Sequence, residues 1–216
     1  MTLSIELYWS FRSPYSYLAT GRLVAMQRDY DLDIAVRPVL PIAIRKGEFF
    51  TQVNPMWIPY LLRDTARIAE MLGLPYAWPR PDPVVTEPGT FKAAKDQPYA
   101  PRLTRLGCAA AERGKGLAFL DEVSKVIWSG TQNWDQGDHL TKAAARAGLD
   151  LAELEAAVNA DIAKYDAVIE TNQKAQADAG HWGVPLMVFK GEPFFGQDRL
   201  DLLLWRLKQN GLQPRN

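Results

Sequence analysis

The chain begins with a stretch in which apolar and polar side chains alternate. From Leu3 to Trp9 the odd-numbered residues are apolar, and the residues between them are Ser4, Glu6 and Tyr8. A period of two is typical of a β-strand that packs one face against a core. The sequence therefore predicts that the chain opens with a strand.

A helix is predicted directly after this strand, over residues 14–28. Ser13 can accept hydrogen bonds from the free amides of a first helical turn, and Pro14 has the fixed φ that suits the first helical position. The loop between the strand and the helix lies at the carboxyl end of the strand. The first-turn amides and the positive end of the helix dipole therefore face an open crevice, where an anion would bind.

A second strand is predicted over residues 31–37, and the strand–helix–strand order implies a parallel pair. From residue 41 to residue 180 the apolar spacing is helical or interrupted by prolines. It predicts one helix that ends before Gly73, one around 117–127, and one from an N-cap at Asp150 towards Asn172. The proline-rich stretch 74–101 is predicted to be a long irregular segment of the kind that is functional or mobile.

Strand patterns return near the carboxyl end of the sequence. Residues 184–190 and 193–195 predict an antiparallel hairpin that turns at Gly191–Glu192, and a last helix begins at 196–198 and ends at Gly211. The order βαβ, helical insertion, ββα is that of an α/β thioredoxin-like fold. We expect a discontinuous thioredoxin-like domain (1–40 and 181–216) that is interrupted by a helical insertion domain (41–180).

Charge and composition limit the partners of this chain. Among its 216 residues, Lys and Arg number 25 and so do Asp and Glu, without a basic run. A nucleic-acid-binding domain usually has a basic excess or face, so we expect no nucleic acid as partner. No stretch reaches the roughly 18 apolar residues of a membrane span, and no export signal is present, so we expect no membrane partner and a cytoplasmic protein.

Cysteine and histidine are too few for several kinds of site. Cys108 is the only cysteine, which excludes an intrachain disulfide, a CxxC redox pair and a thiolate-rich zinc site. His139 and His181 are the only histidines, and they lack the spacing of metal ligands. We expect no metal, and we interpret Cys108 as a small residue packed in a helix.

Three stretches of the sequence form a recognisable set. They are residues 9–18 (Trp-Ser-Phe-Arg-Ser-Pro-Tyr-Ser-Tyr-Leu), residues 181–185 (His-Trp-Gly-Val-Pro) and residues 194–203 (Phe-Phe-Gly-Gln-Asp-Arg-Leu-Asp-Leu-Leu). Together they resemble the DsbA-like branch of the thioredoxin superfamily, and within it the 2-hydroxychromene-2-carboxylate isomerases and kappa-class glutathione transferases. The ending Gly-Gln-Asp-Arg-Leu-Asp, residues 196–201, resembles the isomerases more closely.

The loop after the first strand differs from that of a DsbA-type oxidoreductase. Such enzymes have a CxxC pair there, whereas this chain has Ser13, Pro14, Tyr15 and Ser16. Dithiol exchange needs two thiols, so disulfide chemistry is excluded at this position. The resemblance implies that glutathione is the cofactor that brings the thiol, and that Ser13 is the catalytic residue. The Ser13 hydroxyl and the first-turn amides of Tyr15 and Ser16 would favour the thiolate over the thiol.

The resemblance also implies where the rest of glutathione binds. Val184–Pro185 is similar to the cis-proline loop of thioredoxin-like proteins, in which the residue before proline offers its backbone to the cysteinyl part. At the start of the last helix, backbone amides suit the γ-glutamyl carboxylate and Asp198 suits its ammonium group. The implied cofactor-binding residues are Ser13, Val184, Pro185, Phe195, Gly196, Gln197 and Asp198.

A substrate-binding region is indicated by residues 45–54 and the aromatic residues that follow. A flat aromatic acid needs aromatic walls together with a cation or amide donors, and this region supplies both. Trp57 stands where the kappa pattern has a lysine, and the choice between Arg45 and Lys46 as partner of the substrate carboxylate stays open. The candidate substrate-binding residues are Arg45, Lys46, Asn54, Trp57 and Tyr60.

The activity that the resemblance implies is cis–trans isomerisation of 2-hydroxychromene-2-carboxylate or a related aromatic acid. It would proceed by addition of the glutathione thiolate, rotation about the bond made single, and elimination of glutathione. One alternative is a kappa-like glutathione transferase that releases the conjugate. Another is a non-catalytic DsbA-like binding domain, against which the intact Ser13, Val184–Pro185 and Gln197–Asp198 argue. The resemblance also implies a homodimer.

Overall fold

The described part of the chain, residues 2–215 of a computed structural model, contains one four-stranded mixed sheet and ten α-helices. The strands are β1 (Leu3–Trp9), β2 (Leu32–Pro38), β3 (Leu186–Phe189) and β4 (Glu192–Phe195). The helices are α1 (Pro14–Asp29), α2 (Ile42–Arg45), α3 (Phe49–Gln52), α4 (Trp57–Leu72), α5 (Ala100–Glu112), α6 (Gly116–Trp128), α7 (His139–Arg146), α8 (Leu151–Ala160), α9 (Ile162–Asp178) and α10 (Leu200–Gln209).

The sheet has the strand order β2–β1–β3–β4. β1 and β2 are parallel, with Leu3 opposite Leu32 and Trp9 opposite Pro38, and α1 connects them. β3 runs antiparallel to β1, with Leu7 opposite Met187, and β4 is antiparallel to β3. This topology confirms the predicted βαβ and ββα units around a helical segment.

α1 begins as the sequence predicts. Ser13 has an extended backbone (φ −97°, ψ 113°), its side chain accepts from the Ser16 amide, and Pro14 occupies the first turn. This cap satisfies one of the amides that a helix start leaves free. Since β1 ends at Trp9, the capped start of α1 is held at the carboxyl end of a central strand.

The β3–β4 hairpin turns one residue earlier than predicted. Lys190 and Gly191 both have positive φ, 50° and 81°, and Glu192 already pairs with Phe189 as the first residue of β4. Two consecutive residues with positive φ are typical of the tight turns that join twisted antiparallel strands. The predicted turn at Gly191–Glu192 is therefore wrong by one position.

The single helix predicted from Asp150 towards Asn172 is two helices. Asp150 caps α8 as predicted, accepting from the Ala152 and Glu153 amides. The helix then ends at Asp161, whose backbone leaves the helical region (φ −152°, ψ 73°) and whose carboxylate accepts from Lys164 N. An aspartate can replace helical bonds by such a local side-chain bond, so a second helix starts there without a break in the apolar spacing.

The segment between α4 and α5 is irregular, as predicted, but it is held by specific bonds. The Asp82 carboxylate accepts from Trp78 Nε1 and Val84 N, and the Gln97 amide donates to Val85 O. From outside the segment, Trp134 Nε1 donates to Pro81 O at 2.7 Å. The side chains on this segment therefore have fixed positions next to the rest of the fold.

One hydrophobic core joins the sheet to the inserted helices. Its buried residues include Leu7 and Trp9 of β1, Leu103 of α5, Leu120 of α6 and Leu203 of α10. α5 and α6 both pack on β2, and α6 also packs on α1. Within residues 2–215, no helix combines the length and the apolar character that crossing a bilayer requires.

Candidate functional site

A cavity of about 620 Å³ opens where β1 ends and α1 begins. We call it the main cavity. Four parts of the chain form its walls: the β1–α1 loop with the start of α1, the region from Pro41 to Phe50, α4, and the segments on either side of β3 and β4. A cavity of this size at the carboxyl end of a central strand is a usual location for a ligand site.

Ser13 lies at the point where two of these walls meet. Its hydroxyl accepts from Ser16 N at 3.2 Å and donates to Val184 O at 3.3 Å. The single hydroxyl group thus connects the start of α1 to the backbone before Pro185. The Ser16 amide donates its hydrogen bond to Ser13, whereas the Tyr15 amide has no protein acceptor within the described residues.

The Val184–Pro185 bond is cis, as the sequence predicts. Val184 lines the main cavity, whereas Pro185 lies behind it and its carbonyl accepts from Gly196 N at 2.9 Å. The preceding turn is fixed by Gln176, which is fully buried and donates to Gly183 O at 2.7 Å. The backbone around Val184 is therefore tied to both α9 and β4.

The end of β4 and the residues after it form another part of the wall, which is lined by Phe195, Gly196, Gln197 and Asp198. Gly196 has a φ of 106°, and a Cβ there would meet the Asp198 carboxylate. Residues 197–199 form one 3₁₀ turn, which Arg22 of α1 holds by donating to Gln197 O at 3.0 Å. Asp198 is exposed and pairs with Arg199.

Arg45 is the cation that the structure brings to the main cavity. Its guanidinium donates to Gln176 Oε1 and to Trp182 O, each at 3.0 Å, and its Nε is buried without a partner. Burial lowers the pKa of Arg45 to about 10, so the group stays charged at neutral pH. No described residue offers Arg45 a carboxylate, although the other charged residues of the cavity walls are paired. These pairs are Arg12 with Asp82, Asp64 with Arg67, and Asp198 with Arg199.

Aromatic rings line the same cavity as Arg45. Phe49 contacts Trp182 and Trp57 with ring centroids 5.0 and 6.1 Å away, and Phe50 lies 5.8 Å from Trp57. Tyr60 also lines the cavity and is 53% exposed, so it stands at the mouth. The cavity thus combines apolar aromatic walls with a cation that has no carboxylate partner among the described residues, which suits an aromatic anion.

Two of the predicted substrate-binding residues do not reach this cavity. Lys46 follows the one-turn helix α2 and is exposed outside the cavity walls. Asn54 is also exposed, and its Oδ1 accepts from Met56 N, so the side chain closes a local turn. Arg45, Trp57 and Tyr60 are the members of the predicted set that lie together.

Several cavity residues were not among the predicted site residues. Arg12 and Tyr15 belong to the first motif, in which Ser13 was the residue predicted to have a role in the site. Tyr15 donates to the Asp64 carboxylate at 2.8 Å, and burial together with this bond raises the pKa of the Tyr15 hydroxyl. Arg12 pairs with Asp82, 70 positions along the chain. The sequence signal that could have predicted Arg12 and Tyr15 as site residues is their position within the first motif.

The sheet topology and the β1–α1 loop together define a thioredoxin-like protein that carries serine where a dithiol pair would stand. Residues 4–208 match the model of the DSBA-like thioredoxin domain, and the chain belongs to this family.

Named relatives of this chain fall into two groups. It is 29% identical to the 2-hydroxychromene-2-carboxylate isomerase of Sphingobium xenophagum, over 94% of this chain and 97% of the relative. It is 24% identical to glutathione S-transferase kappa 1 of Rattus norvegicus, over 97% and 93%. A solved structure of 2-hydroxychromene-2-carboxylate isomerase shares the fold with a TM-score of 0.70, at 23% identity, over 96% of this chain and 95% of that structure.

Proposed function

We propose that this protein is a glutathione-dependent isomerase that acts on 2-hydroxychromene-2-carboxylate or a related aromatic acid. The observation that carries the proposal is the Ser13 hydroxyl, which lies between the start of α1 and the Val184 carbonyl in the wall of the main cavity. The isomerase and glutathione transferase relatives support the same reading.

The residues around Ser13 fit glutathione as the cofactor. The start of α1 and the free Tyr15 amide suit a negatively charged sulfur, and the backbone of Val184 suits the cysteinyl part. The 3₁₀ turn at Gln197–Asp198, held by Arg22, offers amides to the γ-glutamyl carboxylate and the Asp198 carboxylate to its ammonium group. When bound, glutathione supplies the thiolate that adds to the conjugated system and leaves after the bond has rotated.

Ser13 has the role of a donor to the sulfur. A thiol near its ordinary pKa of about 8.5 is mostly protonated at neutral pH, and a hydroxyl donor together with a helix start favours the thiolate. The Ser13 proton points to Val184 O at 3.3 Å, a long bond that a charged acceptor can replace. The Ser16 amide keeps the Ser13 oxygen in place during that change.

Arg45 has the role of binding the substrate carboxylate. It is charged, lacks a carboxylate partner within residues 2–215, and lines the same cavity as Phe49, Trp57 and Trp182. A planar anion that pairs with Arg45 would have its conjugated system inside the cavity that these rings line. Asn54 and Lys46, which lie outside, have no part in this arrangement.

The similarity to kappa 1 transferase supports a second candidate, a transferase that releases the conjugate. The two reactions differ in their products. An isomerase leaves the amount of glutathione unchanged, whereas a transferase consumes it in proportion to product. Quantifying free thiol and conjugate by mass spectrometry after many turnovers decides between them. We also propose, from the family alone, a cytoplasmic homodimer.

The first test is calorimetric binding of glutathione in buffers of different ionisation enthalpy, which counts the protons released. We expect the wild type to release a proton near neutral pH, because the site binds the thiolate. Ser13→Ala removes the donor and should bind glutathione while releasing fewer protons. Ser13→Thr keeps a hydroxyl and a cap, so it should behave like the wild type. A wild type that binds no glutathione would overturn the proposed cofactor and leave the non-catalytic binding domain.

The second test uses the neighbouring basic residues as a matched pair. Arg45→Met should raise the KM for the aromatic acid by about tenfold or more, since a charge-assisted hydrogen bond contributes roughly 1.5–3 kcal/mol. Lys46→Met removes the same charge one residue later, outside the cavity, and should leave KM unchanged. Glutathione binding should be equal in both variants. Equal effects of the two substitutions on KM would contradict the role of Arg45.

A further inference from the structure

A second cavity, of about 430 Å³, adjoins the main cavity. We call it the side cavity. Its walls include Phe50, Trp57, Leu62, Trp78 and Phe91, and it shares Phe50 and Trp57 with the main cavity. Because the two cavities share these rings as wall residues, they lie side by side.

The side cavity is lined by apolar groups and by no unpaired charge. Among the described residues that line it, the charged ones are Arg12 and Asp82. The Arg12 guanidinium donates two hydrogen bonds of 3.2 Å to the Asp82 carboxylate. The Arg12 guanidinium also lies over two rings, 5.3 Å from the Phe50 centroid and 5.1 Å from that of Trp78. Because these charges are already compensated, the cavity favours a neutral apolar group over a second anion.

The outer wall of the side cavity is preformed and partly uncovered. It comes from the irregular segment between α4 and α5, where Asp82 is bonded to Trp78 and Val84. Phe91 and Leu62 both line the side cavity, and at 57% and 44% exposure they leave large apolar surfaces open to solvent. A ligand group that covered these side chains would remove apolar area from water, at about 25 cal/mol per Å².

We propose that the side cavity binds a second ring, or an apolar substituent of similar size, on the aromatic acid whose carboxylate Arg45 binds in the main cavity. This rests on the role proposed for Arg45. The remaining polar side chains of the described walls of the side cavity are Thr86 and Thr90, and an apolar ring forms no hydrogen bond with either, so its attachment to an anchored acid is what directs it there. The substrate class is therefore an aromatic acid extended at the end remote from its carboxylate.

The test compares two acids on the whole protein by calorimetry. 2-Naphthoate carries the carboxylate and two fused rings, and 6-phenyl-2-naphthoate adds one ring at the far end. We expect the wild type to bind the longer acid about tenfold more tightly, because the added ring becomes buried. Thr86→Trp places a large side chain in the side cavity, so it should abolish the tighter binding of the longer acid. The affinity of this variant for 2-naphthoate should stay within about twofold of that of the wild type.

Two further variants make the result specific. Phe91→Ala removes an exposed wall ring and should weaken the longer acid selectively, with little risk to folding because the ring is 57% exposed. Thr141→Trp adds the same bulk on the exposed face of α7, outside both cavities, and should change neither affinity.

The outcomes separate the two proposals. If 2-naphthoate binds and the longer acid binds no better, or if Thr86→Trp weakens both acids equally, the side cavity is not a subsite while the Arg45 site stands. If neither acid binds the wild type, the carboxylate site and its extension are both wrong. Glutathione binding is measured separately and is independent of either result.

Discussion

Ser13 has a single hydroxyl proton, for which two acceptors would compete in the proposed thiolate complex. The oxygen of Ser13 accepts from Ser16 N, which caps α1, while the proton is directed to Val184 O. Capping of α1 uses a lone pair of the Ser13 oxygen, whereas binding of a sulfur would use the hydroxyl proton. The two roles are therefore compatible in one residue. Cys108, the only cysteine of the chain, is buried, and burial raises the pKa of its thiol to about 12, so the thiol stays protonated at neutral pH.

At the residue scale, His181 should make the stability of the protein depend on pH. Burial lowers the pKa of His181 from its ordinary value of 6.5, and its Nδ1 accepts from Gly183 N at 2.9 Å, which requires the neutral ring. The unfolded chain therefore binds a proton more readily than the folded one. The contribution of His181 to stability is complete above pH 6.5 and decreases as pH falls through the folded pKa.

Urea unfolding of wild type and His181→Gln at several pH values tests this prediction. We expect the stability difference between the two proteins to shrink between about pH 7 and 5.5, before most carboxylates titrate. His139→Gln changes an exposed histidine at the start of α7 and should unfold in parallel with wild type. A difference for His181→Gln that is constant over this range would contradict the prediction.

At the scale of elements, the turn before β3 is packed closely against the rings of Phe195 and His181 at the position of Gly183. A Cβ on Gly183 would overlap the Phe195 ring of β4 and lie 3.0 Å from His181 Cε1, whose ring stacks on Phe195 with centroids 3.8 Å apart. Phe195 and Val184 both line the main cavity, so the fit of this turn against β4 shapes the cavity wall.

Gly183→Ala should therefore destabilise the protein by about 1–3 kcal/mol, as overpacking in a tight site does. Gly21→Ala is the matched control, because Gly21 lies inside α1 with open space at its Cβ position. Alanine there should stabilise by about 0.5–1 kcal/mol, since glycine loses more backbone entropy in a helix. Denaturant unfolding measures both. Equal effects of the two substitutions would show that the turn can relax.

At the scale of the whole molecule, the sheet and the inserted helices share one core. Leu7 of β1 and Leu120 of α6 are both fully buried in the same cluster. The division into residues 1–40 with 181–216 and residues 41–180 stays a prediction, and because the two parts share this core we expect them to unfold together. A segment that depends on the other's apolar surface gains little from folding alone.

Chemical denaturation followed by far-ultraviolet and near-ultraviolet circular dichroism should give coincident transitions. Leu7→Ala and Leu120→Ala should each lower both midpoints together, at a cost of about 2–5 kcal/mol. Leu202→Ala, on the exposed face of α10, is the control and should cost much less. Two separate transitions, one shifted by each core substitution, would show that the parts are independent domains.

The sequence predicted the elements whose signals are local. The alternation from Leu3 to Trp9, the Ser13–Pro14 cap and the Asp150 cap depend on near neighbours along the chain, and all are present in the fold. The fold family followed because three motifs occur in order along the chain. Periodicity failed at Asp161, where one side-chain bond ends a helix without disturbing the apolar spacing, and at the hairpin, where the turn falls one residue earlier.

The tertiary structure decided what depends on distant parts of the chain. Arg45 and Lys46 are adjacent and both basic, and only the packing of α2 against α9 and the turn before β3 brings Arg45 inside and leaves Lys46 in solvent. The Arg12–Asp82 pair and the side cavity join segments 70 positions apart. Local propensity contains no information on such contacts, because they form only when the whole core is assembled.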